Sequence, residues 1–162
     1  MTRTFVRTVS IAASPDAVFA HIDDQTRLGE HMEKRSIVMG GGRMTYHSDA
    51  GRGRAVGSHI RMGGSALGLS LFADEVVTER KPPFHKAWRT ESPVRLIVID
   101  GYAMGFDIAA ARDRTELKVW IVYDLPRGPL RWLALSLAAL YARWCVGRMV
   151  DDAARHFTRR PA

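Results

Sequence analysis

Cysteine is nearly absent from the sequence, since Cys145 is the only one among 162 residues. A single cysteine cannot form a disulfide bond within the chain, which fits a reducing compartment. A membrane span is also lacking, because the longest apolar run, Trp132–Ala142, is shorter than the about 20 residues that a bilayer requires. The N-terminus has no apolar core of the kind found in a signal peptide. Together these absences predict a soluble cytoplasmic protein.

Acidic residues are scarcer than basic ones, with 17 Asp and Glu against 24 Lys and Arg. The resulting net charge of +7 favours contact with anionic partners such as lipid surfaces or nucleic acids. No single helix or loop collects the run of basic residues that nucleic-acid binding needs, so nucleic acid is not predicted as a partner. Peripheral contact with an anionic membrane remains open beside the simpler interpretation of a solvated, arginine-rich surface.

Motifs for metal, nucleotide and nucleophilic chemistry are missing as well. The six histidines form no HxH or HxxxH pair and have no neighbouring cysteine, so no metal site is predicted. No Lys-Ser or Lys-Thr follows Gly40-Gly41-Gly42, which excludes a phosphate-binding loop there. The serines lack the context of a nucleophile elbow, which argues against a hydrolase. The sequence therefore predicts neither a metal nor a cofactor.

The chain is long enough to bury a core without disulfide bonds or metal ions. It is 46% hydrophobic, and a domain of this length buries roughly 70% of its unfolded surface. No internal repeat or low-complexity segment divides it. We therefore expect one domain over residues 1–162.

The N-terminal part predicts one strand followed by two short helices. Thr4–Ala12 alternates larger and smaller side chains in the manner of a half-buried strand. Ser14 suits a helix N-cap and Pro15 suits the first helical position. Asp23 and Asp24 then predict the start of a second short helix over Leu28–Met32.

Hydrophobic periodicity changes to two between Ile37 and Asp124, which is typical of strands. Glycine-rich and proline-rich turns separate the segments, so consecutive strands should pair as an antiparallel meander. The predicted strands are Arg43–His47, Ser58–Gly64, Leu69–Lys81, Phe84–Thr90, Ile97–Ala110 and Thr115–Asp124.

The last apolar segment predicts one long helix over Leu130–Phe157. A stripe at helical spacing runs its whole length and comprises Trp132, Leu135, Ala139, Ala142, Val146, Met149, Ala153 and Phe157. A second stripe covers only the first half and comprises Leu133, Leu137, Leu140, Tyr141 and Trp144. The long stripe predicts packing against the sheet. The short stripe is left over, and we expect it to be at least partly exposed.

Three stretches of the sequence, VSIAASPDAVFAHIDD, VVTERKPPFHKAWRT and YDLPRGPLRWL, resemble the START and birch-allergen-like helix-grip superfamily (SRPBCC). The resemblance runs from Phe5 to about Ala154 and is nearest to the polyketide cyclase/dehydratase-like branch. It implies an α+β helix-grip fold, in which a curved antiparallel sheet of about seven strands wraps a long C-terminal helix around a ligand cavity. Members include lipid carriers and cyclases, and no universal catalytic motif transfers to this chain, so the fold leaves the function open.

Side-chain alternation predicts which residues line such a cavity. On the strands, the larger apolar set of each alternation should point inward, and on the helix small residues would leave room for a ligand. The predicted ligand-binding residues are Ile60, Met62, Trp88, Val98, Tyr102, Met104, Phe106, Val119, Ile121, Leu135, Ala139, Ala142 and Val146.

Asp100 is the one carboxylate in that predicted wall. Burial beside Tyr102 would raise its pKa and suit it to acid–base catalysis of enolisation or dehydration, with Tyr102 stabilising an oxyanion. The simpler alternative places Asp100 at the open end of its strand, paired with an arginine such as Arg95 or Arg61. His59 is a further weak catalytic candidate if it meets Asp100 across the strands.

Three functions remain open from the sequence. The first is binding of a hydrophobic small molecule, lipid-like or polyketide-like, without a cofactor. The second is an enzyme of cyclase/dehydratase type that uses acid–base residues in the same cavity. The third is a membrane-surface or homodimerising protein that uses the stripe from Leu133 to Trp144.

Overall fold

The computed structural model describes residues 1–24, 43–66, 69–126 and 131–158. Seven antiparallel strands form one open sheet in the order β1-β7-β6-β5-β4-β3-β2. The α+β architecture expected from the sequence is therefore confirmed. The elements are β1 Thr2–Ile11, α1 Pro15–Ile22, β2 Arg43–Ser48, β3 His59–Ala66, β4 Leu69–Lys81, β5 His85–Arg95, β6 Gly101–Ala111, β7 Arg114–Asp124 and α2 Arg131–Thr158.

The start of the chain follows the predicted pattern. Ser14 is the N-cap of α1, and its hydroxyl oxygen accepts a hydrogen bond from the backbone N–H of Ala17 at 3.3 Å. Val18, Phe19 and Ile22 form the buried face of this helix. The second short helix, predicted over Leu28–Met32, lies outside the described residues.

Strand β5 continues to Arg95, beyond the predicted end at Thr90. A second error in a predicted strand boundary matters for the site. The strand predicted from Ile97 begins only at Gly101. The hydroxyl of Thr90 on β5 hydrogen-bonds both the N–H and the carbonyl of Tyr102, where a strand ladder would use backbone groups alone. Residues 96–100 therefore form a bend between β5 and β6 rather than part of a strand.

Helix α2 packs mainly against β1 and β7, and its buried face follows the long stripe. Ala142, Val146, Met149 and Ala153 are buried, and so is Ala138, which the predicted stripe did not include. An ion pair of 2.8 Å between Arg7 on β1 and Asp151 holds the outer edge of the helix to the sheet. On the other side of the sheet, Trp88 of β5 belongs to the same apolar cluster as this helix face.

The short stripe of α2 is partly exposed where its side chains are described. Leu137 is 48% exposed and Leu140 is 58% exposed, while Tyr141 and Trp144 are half-buried. This confirms the expectation for these four residues; the side chain of Leu133 lies outside the described part. Contact of this stripe with a membrane or a second copy stays a prediction. None of the helices in the described ranges has the length and apolarity to cross a membrane.

Candidate functional site

The predicted lining residues on the strands point toward one buried surface. Seven of them are buried in the structure: Ile60, Met62, Trp88, Met104, Phe106, Val119 and Ile121. Val98 is partly buried against the same core, although it lies in the bend before β6. Side-chain alternation therefore indicated the inward residues correctly within β3, β6 from Gly101 onward, and β7.

The predicted lining residues on α2 differ in burial. Ala142 and Val146 are fully buried, whereas Leu135 and Ala139 are only partly buried. The buried side is completed by Ala138, which is fully enclosed. Small side chains thus stand at the middle of the helix where it faces the sheet.

Two apolar clusters occupy the inner face. The larger contains Trp88, Phe106 and the buried face of α2, and the smaller contains Met62, Leu71 and Ala73. Tyr102 on β6 and Tyr141 on α2 pack against both clusters. The two tyrosines therefore mark the place where the helix and the β3–β5 side of the sheet come together.

A buried carboxylate, Glu75, lies at that place, and sequence reasoning missed it. Glu75 is only 8% exposed, and its carboxylate accepts a hydrogen bond from the Tyr102 hydroxyl. The indole N–H of Trp88 donates a second hydrogen bond to it. Strands β4, β5 and β6 thus bring one side chain each to a single polar point in an apolar wall.

Burial controls the protonation of this cluster. Burial raises the pKa of Glu75 to about 7, although the hydrogen bonds from Tyr102 and Trp88 act to lower it. Burial also raises the pKa of Tyr102 well above its usual value, and the nearby Glu75 carboxylate adds to that rise. Cys145 on α2, hydrogen-bonded to Tyr141, has its pKa raised to about 12 by burial. Near neutral pH, Glu75 is therefore the member of this group that exchanges a proton.

A second buried polar group adjoins Glu75. Lys86 on β5 is completely buried, and its Nζ donates to the carboxylate of Asp23 at 2.9 Å and to the Asp23 carbonyl at 3.0 Å. Arg80 donates to the same carboxylate from Nη2 at 2.9 Å and from Nε at 3.2 Å. Burial lowers the pKa of Lys86, while Asp23 and Glu75 act to raise it. Asp23 therefore binds two cations at the end of α1.

The predicted catalytic roles of Asp100 and His59 do not fit their positions. Asp100 is exposed in the bend before β6, because the strand starts later than predicted. His59 points to the outer face, where its Nδ1 lies 3.0 Å from Asp74, which also binds Arg61. Of the three catalytic candidates, only Tyr102 belongs to the buried polar cluster.

Metal ligands do not converge in the part of the chain that the structure describes. No group of three or more His, Cys, Asp or Glu side chains is arranged there to hold an ion. The arrangement at Glu75 instead offers acid–base and hydrogen-bonding chemistry. A carboxyl group with a pKa near 7, next to a neutral phenol, can accept a proton or donate one to a bound molecule.

Residues 2–160 match the family model described as polyketide cyclase / dehydrase and lipid transport. A search of curated protein sequences finds no match.

Solved structures with the same fold include members of several groups. Truncated norcoclaurine synthase from Thalictrum flavum is 14% identical, with a TM-score of 0.68 over 99% of this chain and 96% of that one. The di-domain ARO/CYC BexL from the BE-7585A biosynthetic pathway is 17% identical, with a TM-score of 0.68 over 99% of this chain. This chain spans 51% of BexL. Ara h 8.0201 is 10% identical, with a TM-score of 0.60 over 94% of this chain and 98% of its own. The helix-grip fold is thereby confirmed.

Proposed function

Because the chain belongs to the polyketide cyclase / dehydrase and lipid transport family, we propose that it binds a hydrophobic small molecule, lipid-like or polyketide-like. The ligand lies between α2 and the β3–β5 side of the sheet, and its polar end reaches Glu75. The observation that carries this proposal is the convergence of Glu75, Tyr102 and Trp88 in a wall formed mainly of apolar side chains.

This convergence is the composition of a ligand site. Small-molecule sites are lined mainly by apolar and aromatic side chains and contain a few polar groups that fix orientation. A carboxylate buried among apolar side chains costs stability unless its partners offset the loss of hydration. We infer that Glu75 occupies this position, in spite of the stability that its burial costs, because it holds a ligand.

The helix supports the same interpretation. Ala138 and Ala142 are fully buried and present only methyl groups to the sheet, so a ligand placed there would lie close to the backbone of α2. Tyr141 and Cys145 lie next to this stretch of α2, and both interact electrostatically with Tyr102. A ligand between them would contact small apolar groups along its length and polar groups at one end.

A neutral apolar probe, N-phenyl-1-naphthylamine, tests the proposal by fluorescence titration. We expect one saturable site per chain, because the proposal places a single ligand between these two elements. Ala138→Phe puts a large side chain into the proposed site and should weaken probe binding about tenfold or more, by analogy with overpacking of a core. Leu137→Phe, at the neighbouring exposed position, is the matched control and should leave binding unchanged.

A thermal melt of each variant is the control for folding. Ala138→Val introduces a smaller side chain than Ala138→Phe and should weaken probe binding in the same direction. Equal probe binding by wild type, Ala138→Phe and Ala138→Val, with all three folded, would contradict the proposed site.

A second candidate function is acid–base catalysis on a bound carbonyl compound, favoured by the Glu75–Tyr102 contact. Glu75 would take the proton from the carbon next to the carbonyl, and the bonding electrons of that C–H bond would form the enolate. Once Glu75 holds the proton, the Tyr102 hydroxyl is released to donate to the enolate oxygen.

Deuterium exchange into 2-tetralone, followed by proton NMR, tests this second candidate. We expect exchange that accelerates as the pH rises through about 7, where Glu75 ionises. Glu75→Gln should lower the rate about 100-fold or more, the usual contribution of a general base. Asp100→Asn, at an exposed carboxylate, is the control. Exchange no faster than in buffer, or exchange that survives Glu75→Gln, would remove this candidate.

A further inference from the structure

The ionisable groups beside the proposed site carry an imbalance of charge, in which Asp23 and Lys86 are buried and the Arg80 side chain is 27% exposed. Arg80 and Lys86 are both cations, and both bind the single carboxylate of Asp23. These three groups together hold one excess positive charge. Within the described residues, Glu75 is the other carboxylate that interacts electrostatically with Lys86. Glu75 therefore balances the charge of Asp23, Arg80 and Lys86 when it is ionised, and it leaves them with one excess positive charge when it is protonated.

We propose that the site takes a ligand with an acidic head group, such as a carboxylate or an enolate, and that Glu75 gains one proton as the ligand binds. This proposal rests on the proposed function, because it names the chemical class of the ligand at the same site. The ligand anion takes over from the Glu75 carboxylate in balancing the one excess positive charge of Arg80, Lys86 and Asp23. Charge is conserved: one anion and one proton enter together, so these three groups, Glu75 and the ligand stay neutral in sum.

Like-charge repulsion drives the proton uptake. Two anions a few ångströms apart in a buried site strongly disfavour each other's charged form, so one of them takes up a proton. The protonated carboxyl of Glu75 then donates an O–H hydrogen bond to the ligand anion, and such charge-assisted bonds are among the stronger ones in proteins. Glu75 thus changes from a competitor of the ligand into a donor to it.

The groups that face Glu75 leave it as the site of this exchange. Tyr102 from β6 and Cys145 from α2 both have a raised pKa and stay neutral near pH 7. Lys86 from β5 is committed to Asp23, and Tyr141 hydrogen-bonds Cys145. Asp74, on the same strand as Glu75, points to the outer face and binds His59 and Arg61.

Two probes with the same ring system separate the charge of the ligand from its apolar body. 1-Anilinonaphthalene-8-sulfonate is an anion at every relevant pH, and N-phenyl-1-naphthylamine is its neutral counterpart. Calorimetric titrations at pH 8 in phosphate and in Tris, buffers with different ionisation enthalpies, give the number of protons taken up. We expect about one proton for each sulfonate probe, because Glu75 is largely ionised at pH 8, and none for the neutral probe.

The affinity for the sulfonate probe should fall about tenfold for each pH unit above 7, whereas the affinity for the neutral probe should stay constant. In Glu75→Gln the proton uptake and the pH dependence should both disappear, and the sulfonate probe should still bind. Leu140→Ser removes an exposed apolar side chain of α2 and should change neither probe's affinity.

The outcomes distinguish a failure of this inference from a failure of the proposed function. If both probes bind and the sulfonate probe takes up no proton, the inference is overturned and the proposed function stands. If uptake persists in Glu75→Gln, or if Leu140→Ser abolishes binding of the sulfonate probe, the inference is likewise overturned. If neither probe binds, the proposed function fails. The proton count on the wild-type protein requires no variant to fold.

Discussion

Replacing Asp23 with alanine is expected to lower the free energy of unfolding by about 3–5 kcal/mol, the range seen when one partner of a buried ion pair is removed. Asp23 is the shared partner of Lys86, which is fully buried, and of Arg80. Without it, the ammonium group of Lys86 loses both its counter-charge and a hydrogen bond in a place that water does not reach. The variant must then neutralise Lys86 or distort the end of α1.

Urea unfolding at pH 7 measures this loss, and Asp151→Ala is the matched control. Asp151 pairs with Arg7 at a similar distance of 2.8 Å, but both side chains are nearly half exposed. Its loss should therefore cost only about 0–1 kcal/mol. A loss below 1 kcal/mol for Asp23→Ala would contradict the assignment of a buried, mutually dependent pair.

Acid should erase the Asp23 effect. Burial acts to raise the pKa of Asp23, but the hydrogen bonds from Arg80 and Lys86 outweigh it and hold the pKa below the usual 3.8. A carboxyl group with a lowered pKa stabilises the folded state above its unfolded pKa, and this contribution is lost as the pH falls through the folded pKa. The difference in free energy of unfolding between wild type and Asp23→Ala should accordingly have its whole value near pH 7 and become smaller below pH 3.8.

Glu75 is expected to have the opposite pH dependence. Its folded pKa of about 7 lies above the usual 4.5, so between these values the folded state binds more protons than the unfolded state. Stability contributed by the protonated carboxyl is therefore present at low pH and is lost as the pH rises from 4.5 through about 7. A shift of this size corresponds to about 3 kcal/mol.

Glu75→Gln should remove that dependence, because an amide does not titrate. Relative to wild type, the variant should gain about 3 kcal/mol in its free energy of unfolding between pH 4.5 and pH 8. Guanidinium unfolding at a series of pH values measures the gain, and Glu116→Gln, at an exposed carboxylate on β7, is the control. If the free energy of unfolding of wild type followed the same pH dependence as that of Glu75→Gln over this range, Glu75 would ionise as a solvated carboxyl does, and the prediction would be wrong.

The sequence predicts the framework of this protein well because one-sided burial imposes a simple pattern. Strand β4 runs over Leu69–Lys81 as expected, and Ile60 and Met62 face inward while Arg61 faces outward. On α2, the 3–4 spacing of apolar residues identified most of the buried face. In each case the side chain's own hydrophobicity decides which way it points.

The site was harder to predict because it depends on tertiary pairing. Asp100 has an even number, like the inward residues of β6, so alternation predicts that it faces inward. The bend before Gly101 takes it out of the strand. In the sequence, Glu75 stands next to Asp74 and looks like a solvent-facing residue. Only its place in the alternation, on the same strand face as Leu71, Ala73 and Val77, could have indicated its burial.

Lys86 escaped notice for a related reason. A lysine in the middle of a strand is usually exposed, and its burial here depends on Asp23, 63 positions earlier in the chain. A partner at that distance leaves no local pattern for sequence reasoning to use. Lys86 and Glu75 do alternate in step with apolar neighbours, but Asp100 has the same pattern and is exposed, so alternation alone does not separate them.

Native mass spectrometry of the protein as purified tests the central claim most directly. We expect wild type to retain one apolar molecule per chain, lipid-like or polyketide-like in mass, and Ala138→Phe to retain none while Leu137→Phe keeps it. Detection of the bare chain alone in all three proteins, together with no saturable binding of the neutral probe, would contradict a ligand site between α2 and the sheet.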